Sequence, residues 1–283
     1  MNKTMSIQSL IRKCDANQET INGFLSGHRE LDGTITLGSD YFKQETRKYQ
    51  NIFSGSNLYN DDRRYAALLI RELFQNAGDA MIDSERKHVH FQILKNHISV
   101  TDTGKGMTKD VLKKYFLKIN KSSKDNDKES GGFGIGRAII FGQESWMVLT
   151  NNMLVVGSYI NYVILCYECF KQGVFVNKDE PCNQCSHDCN KKHVTGTSVI
   201  VSRKNIHEET YEYVFNFFTG MMKKNDIFTM SYGKEMVDGN IKTYKVELPK
   251  FELDDTEFDF EEQIKTHGSI DAQTISKYFD FEY

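Results

Sequence analysis

The sequence predicts an α+β domain, on three observations. A long amphipathic helix occupies residues 61–83, and a β-hairpin follows it directly over 89–102. Strand patterns then recur at 145–150, 153–160 and 198–201, before a second helix at 208–224 and strands near 228–232 and 243–248. The chain has 283 residues, 39% apolar and 27% charged, enough for one large domain or two small ones with a buried core. Lys+Arg of 36 against Asp+Glu of 39 leaves a net charge of -3, which argues against a surface built throughout for nucleic acid. No stretch approaches the roughly 18 apolar residues of a membrane helix. Residues 1–25 carry Lys3, Arg12 and Lys13 but no apolar run, so a secretory signal is not expected and a cytoplasmic location is.

Residues 1–60 are polar, with glycines at 23, 27, 33, 38 and 55, and read as helix fragments and loops. In the helix at 61–83, Asp61 or Asp62 can cap the start, and Leu69, Ile70, Leu73, Phe74, Ala77, Ala80 and Met81 form one broad apolar face. Lys95-Asn96-His97 joins the hairpin strands. Residues 118–130 are rich in Lys and Ser and read as a loop, and a glycine cluster at 131–136 opens an apolar helix at 138–141. From 251 to 262 seven of twelve residues are acidic and none is basic. That run is either a solvated edge or linker, or a docking segment for a basic protein partner or a downstream domain. The expected organisation is an N-terminal extension over 1–60, a domain over 61–250 interrupted by an insertion at 166–193, and an acidic tail over 251–283.

Three segments point to chemistry. At 100° per residue, Asn76, Asp79 and Asp83 fall within about 40° of Glu72 around the first helix. Such a stripe is either a solvated face or a set of oxygen ligands for Mg²⁺ beside phosphates, with Glu72 placed to deprotonate a water. In the second hairpin strand, alternation sends Ile98, Val100 and Asp102 to one side, which two apolar members make the core side. A carboxylate there needs a donor, either from the protein or from the amino group of a purine. Thr103-Gly104-Lys105-Gly106-Met107 follows, whose glycines allow a tight turn and close approach to a ligand. Third, Gly131-Gly132-Phe133-Gly134-Ile135-Gly136 precedes a helix, where exposed N–H groups attract phosphate. Asn120-Lys121-Ser122-Ser123-Lys124 before it would make a hinged lid over a nucleotide.

In order and spacing these motifs resemble the GHKL ATPases, the superfamily of gyrase B subunits, ninety-kilodalton heat-shock chaperones, histidine kinases and MutL mismatch-repair proteins. Glu72-x-x-x-Asn76-Ala77-x-Asp79-Ala80 resembles the family's N box, Asp102-x-Gly104-x-Gly106-Met107 its adenine box, and Gly131-x-x-Gly134-x-Gly136 its lid glycines. Gly196-Thr197 resembles its last Gly-Thr. The resemblance spans about residues 60–202. It implies the Bergerat fold, an α/β sandwich whose mixed, mostly antiparallel sheet carries helices on one face. It also implies ATP and Mg²⁺ as ligands. Glu72 would be the general base, Asn76 the Mg²⁺ ligand with Asp79 in support, and Asp102 the acceptor for the adenine amino group. Gly104, Gly106 and Met107 would line the base pocket, and Thr197 would sit by Asp102 through its hydroxyl and a water. Lys121, Ser122 and Ser123 together with Gly131, Gly132, Phe133, Gly134, Ile135 and Gly136 would enclose the phosphates. Lid closure and an ATP-dependent homodimer would follow, with residues 1–60 crossing to the partner. The lid segment is most similar to the chaperone and MORC-like branches, although Arg137 stands where the chaperones carry an aromatic residue. The segment after Thr197 is short for a transducer domain that donates a Lys or Arg to the γ-phosphate, so turnover by this chain alone is an open expectation. The alternatives are a nucleotide-sensing scaffold with little turnover and, less well matched because of Glu72, a protein kinase.

Cys166-x-x-Cys169 and Cys182-x-x-Cys185 are twelve residues apart, a spacing that fits a four-thiolate Zn²⁺ site within a zinc-ribbon-like insertion. Cys189, His187 and His193 are alternate ligands. Such ribbons are either structural or hold a protein or nucleic-acid partner, a role that Lys191 and Lys192 would serve here. Cys14 stands apart as a lone thiol.

Overall fold

The computed structural model describes residues 5–25, 61–117, 137–159, 161–178, 185–188, 196–203, 206–222 and 229–246. Eight strands form one sheet: β1 (His88–Ile93), β2 (His97–Asp102), β3 (Trp146–Thr150), β4 (Met153–Ser158), β5 (Asn161–Cys166), β6 (Thr197–Ser202), β7 (Thr229–Glu235) and β8 (Ile241–Lys245). Their order is β5-β4-β3-β6-β2-β1-β7-β8, antiparallel throughout except for the parallel β1–β7 pair. The helices are α1 (Ile7–Asp15), α2 (Gln18–Leu25), α3 (Asp61–Ala80), α4 (Lys109–Val111), α5 (Arg137–Phe141), α6 (Tyr167–Lys171) and α7 (Glu208–Met222). Among the described residues no helix is long and apolar enough to cross a membrane.

One face of the sheet is packed by α3 and α7. Leu69, Ile70, Leu73, Phe74, Ala77 and Met81 are buried as the helical periodicity requires, while Ala80 stays half-buried. Phe74 and Phe215 from the two helices close on Phe91 of β1 and Tyr232 of β7. The Phe91 and Phe215 rings stack with centroids 4.7 Å apart, and Phe215 lies 5.2 Å from Tyr232. This aromatic cluster fixes α3 over β1 and β2, the position from which its polar stripe meets the end of β2.

The opposite face is also covered, which corrects the expectation of helices on one face. Leu10, Ile11 and Cys14 of α1 and Ile21 and Leu25 of α2 pack with Met147, Leu149, Leu154, Val156, Val163 and Leu165 of β3, β4 and β5. In consequence β3 is buried along its whole length and β4 over all but its last residue. The α1 start is capped by Ser6, whose hydroxyl accepts from the Ser9 N–H at 3.2 Å. Lys13 Nζ donates to Lys171 O at 2.7 Å, and Gln8 reaches Glu235 of β7 and Gly239 at 2.9 Å. Helix fragments were expected in this polar segment, and among its described residues only the five apolar side chains facing the sheet are buried.

Strand β5 is a second departure. The expected strand at 153–160 ends at Ser158, and the chain reverses to pair Ser158 with Asn161. Tyr159 sits at φ 48°, and its carbonyl accepts from Trp146 Nε1 at 2.8 Å, so a tertiary contact holds the turn. Residues 118–136 and 251–283, where a lid loop and an acidic tail are expected, lie outside the described residues.

Candidate functional site

Helix α3 places Glu72, Asn76 and Asp79 on one half-buried stripe. Glu72 Oε1 lies 2.6 Å from Arg71 Nη2, so the neighbouring guanidinium holds the carboxylate. Asp83, expected on the same stripe, is exposed in the turn beyond the helix end. The helix stops because its last turn tightens, with the Met81 N–H on Gly78 O at 3.0 Å, and because Ala80 O accepts from the Lys105 N–H at 3.2 Å. The loop after β2 therefore closes directly on the end of α3.

Asp102 ends β2 on the same face as Ile98 and Val100 and is 5% exposed. Its Oδ1 accepts from the backbone N–H of Gly104 at 2.7 Å and of Thr197 at 3.1 Å, and neither bond uses Oδ2. Burial pushes this carboxyl up from 3.8 to about 6, against the opposing pull of those N–H groups. Thr197 is in reach because β6 runs antiparallel to β2, pairing Ser198 with Thr101. Two glycines are obligatory here. A Cβ on Gly196, at φ 74°, would lie 1.9 Å from Asp102 O, and one on Gly104 would lie 2.5 Å from Ala80 O.

The far end of the loop is clipped to β3. The Met107 N–H donates to Thr150 Oγ1 at 2.7 Å, and Asn151 Nδ2 donates to Met107 O at 2.6 Å. The Thr197 hydroxyl pairs with Thr150 Oγ1 at 3.2 Å, while its backbone N–H meets Asp102. Thr150, Asn151 and Asn152 were not among the expected site residues. Asn151-Asn152 is a turn signal in the sequence, and Asn151 takes φ 48°, but nothing local indicates that this turn meets Met107. Hydrogen bonds thus join Asp102, Gly104, Met107 and Thr197 through Thr150 and Asn151, and the Lys105–Ala80 bond docks their loop on the end of α3, the helix that carries Glu72, Asn76 and Asp79. Lys121, Ser122, Ser123 and Gly131, Gly132, Phe133, Gly134, Ile135 and Gly136 lie outside the described residues.

A second cluster sits where β5 ends beside the start of β4, Cys166 pairing with Met153. Cys166 ends β5, Cys169 lies in α6, and Cys185 and His187 come from the 185–188 segment. The four ligand atoms all lie within 4.8 Å of one another. His187 Nδ1 is 3.4 Å from Cys169 Sγ and 3.7 Å from Cys166 Sγ. The three cysteines are free thiols. Burial and the adjoining Cys166 and Cys185 sulfurs push Cys169 up to about 12. Burial would raise Cys185 too, but bonds from Lys178 and His187 outweigh it and bring that thiol down to about 6. Cys182, Cys189 and His193 lie outside the described residues.

The match of a known family decides what the first site belongs to. Residues 61–151 match the family described as histidine kinase-, DNA gyrase B-, and HSP90-like ATPase. This segment belongs to the GHKL superfamily. The GHKL match runs from the first residue of α3 to Asn151, so it takes in Glu72, Asn76, Asp79, Asp102 and the 103–107 loop and ends at the residue that clips Met107. It supports ATP binding and ATPase chemistry of the general GHKL type. The Cys/His cluster and α7 lie beyond the matched GHKL segment. No curated relative matches the chain.

Proposed function

We propose that this chain binds Mg-ATP in the recess between α3 and β2 and hydrolyses it, using closure around the nucleotide to drive conformational change and ATP-dependent dimerisation. The observation that carries the proposal is Asp102: a buried carboxylate whose Oδ1 is immobilised by two backbone N–H groups, with its bonding leaving Oδ2 for a further donor. An adenine amino group is such a donor. The oxygen donors along α3 suit Mg²⁺, which Asn76 would hold with Asp79 in support. The ion's contribution when bound is to neutralise phosphate charge. Glu72 would orient a water and accept its proton, with Arg71 restraining the carboxylate.

The test is calorimetric titration with a non-hydrolysable ATP analogue and Mg²⁺, with Asp102→Asn beside the wild type. The amide places a donor against the adenine donor and removes a charge-assisted bond of roughly 1.5–3 kcal/mol, so affinity should fall at least about 10-fold. Equal affinity in the two proteins, or no saturable binding by the folded wild type, refutes the proposal. Glu72→Ala separates turnover from binding. It should keep nucleotide affinity and lower the hydrolysis rate about 10²–10⁴-fold. An unchanged rate instead supports the second reading, a nucleotide-sensing scaffold that docks a partner, which the Cys/His cluster favours because it is built off the same β3–β4 turn.

A further inference from the structure

We infer that Cys166, Cys169, Cys185 and His187 form a Cys₃His site for Zn²⁺, and that this site fixes the β3–β4 turn whose Asn151 holds the Met107 carbonyl. The set includes His187, which the sequence offers as an alternate to the four thiolates of the Cys-x-x-Cys spacing. Tetrahedral Zn²⁺, at about 2.3 Å from sulfur and about 2.0 Å from nitrogen, holds neighbouring donors about 3.5–3.8 Å apart. The His187 Nδ1 separations of 3.4 and 3.7 Å from two sulfurs match that edge length. The donors come from two chain segments, a tight turn at the β5–α6 junction and the 185–188 strand of chain laid over it, as in sites where each half clasps one side of the ion.

Charge supports the same assignment. Three thiolates and Zn²⁺ carry a net charge of about −1, and a buried anion needs a partner. Lys178, only 6% exposed, supplies it: its ammonium donates to His187 O at 3.0 Å. The preceding residues bring it there by pairing along β5, with the Lys178 N–H on Ile164 O at 2.7 Å and the Cys166 N–H on Val176 O at 2.9 Å.

Asn152 links the cluster to the Met107 loop. It is 0% exposed, and its polar groups are directed to the cluster. Its carbonyl accepts from Tyr167 N at 3.0 Å and its Oδ1 from Glu168 N at 3.1 Å. Its Nδ2 faces Asp188 O at 3.2 Å and Cys166 Sγ at 3.8 Å. The preceding residue, Asn151, holds the Met107 carbonyl. Two consecutive residues of one tight turn thus connect the cluster with the loop that carries Gly104, Gly106 and Met107. Zn²⁺ binding should order α6 and 185–188 around Asn152 and so preorganise Asn151 against that loop. This coupling rests on the nucleotide reading above; the metal site does not.

The experiment has two parts. Elemental analysis of the purified full chain should find about one zinc per chain, and Co²⁺ exchanged into it should show the thiolate charge-transfer absorption and visible bands of a tetrahedral site. Cys185→Ser and His187→Gln should each weaken Zn²⁺ affinity at least about 100-fold, while Cys182→Ser should retain one zinc. Absence of zinc and of the Co²⁺ spectrum in the folded wild type overturns the site. Zinc lost from Cys182→Ser but kept by His187→Gln overturns the ligand set. The Co²⁺ spectrum is read on the wild type, so it decides the matter even if a variant fails to fold. For the second part, chelator-stripped wild type and zinc-replete Asn152→Ala are titrated with the ATP analogue and Mg²⁺. Each should bind about 10-fold more weakly than zinc-replete wild type. Unchanged affinity in both overturns the coupling. No binding by zinc-replete wild type instead overturns the nucleotide reading, and leaves the zinc measurements standing.

Discussion

Replacing Asp102 by Asn should change the pH dependence of folding stability in a direction that burial dictates. Asn keeps an oxygen for the Gly104 and Thr197 N–H groups but cannot ionise. In the folded wild type the carboxyl titrates near 6 and in the unfolded chain near 3.8, so between these values the folded state holds more protons. Stability contributed by Asp102 is therefore present in full below the unfolded value and is lost as pH rises through the folded one. The shift of roughly two units corresponds to about 3 kcal/mol at 1.36 kcal/mol per unit. The assay is urea unfolding of the nucleotide-free chain, wild type and Asp102→Asn in parallel, at steps from about pH 4 to about pH 7.5. The variant is the reference, because the other groups titrate alike in both proteins. Wild type should lose up to about 3 kcal/mol relative to the variant across the interval, most of it below pH 6. A difference that stays flat, or that favours the wild type as pH rises, would refute the view that desolvation dominates this carboxylate.

Two glycine substitutions should separate steric conflict from backbone strain. Gly196→Ala, with its Cβ 1.9 Å from Asp102 O and φ 74°, should destabilise by more than about 3 kcal/mol in denaturant unfolding. Gly173→Ala, at φ 83° with nothing within 4 Å of the added atom, should cost only about 1–2 kcal/mol. Thr150→Val removes the acceptor of the Met107 N–H and the partner of the Thr197 hydroxyl, so it should destabilise by about 1–3 kcal/mol and weaken analogue binding in the same calorimetric assay. A Thr150→Ser variant, which keeps the hydroxyl, should recover most of both losses.

Much of the site was legible because its signals are local. Helical periodicity placed Glu72, Asn76 and Asp79 on one stripe, and strand alternation put Asp102 with Ile98 and Val100 on the buried side. The glycines announced a backbone that must pass close to something, although not that Gly196 passes the Asp102 carbonyl. Asp83 misled, because an idealised helix continues where Ala80 O is instead taken by the Lys105 N–H. Strand β5 was missed because Tyr159 is held at φ 48° by a bond to Trp146, and a tyrosine carries no turn signal of its own.

By itself, then, the sequence determined the α+β class, the helix–hairpin order, the GHKL motifs and the presence of a cysteine-rich segment. Each depends on residue type at short spacing, which one helix turn or one strand reads directly. Only the tertiary structure decided that α1 and α2 cover the second face, that Thr150 and Asn151 clip the Met107 loop, and that His187 joins the three thiols. These depend on which strands become neighbours. β6 brings Thr197 to Asp102, and the β3–β4 turn brings Asn151 and Asn152 to two different sites. Sheet order is set by burial summed over the whole chain, and no single segment carries it.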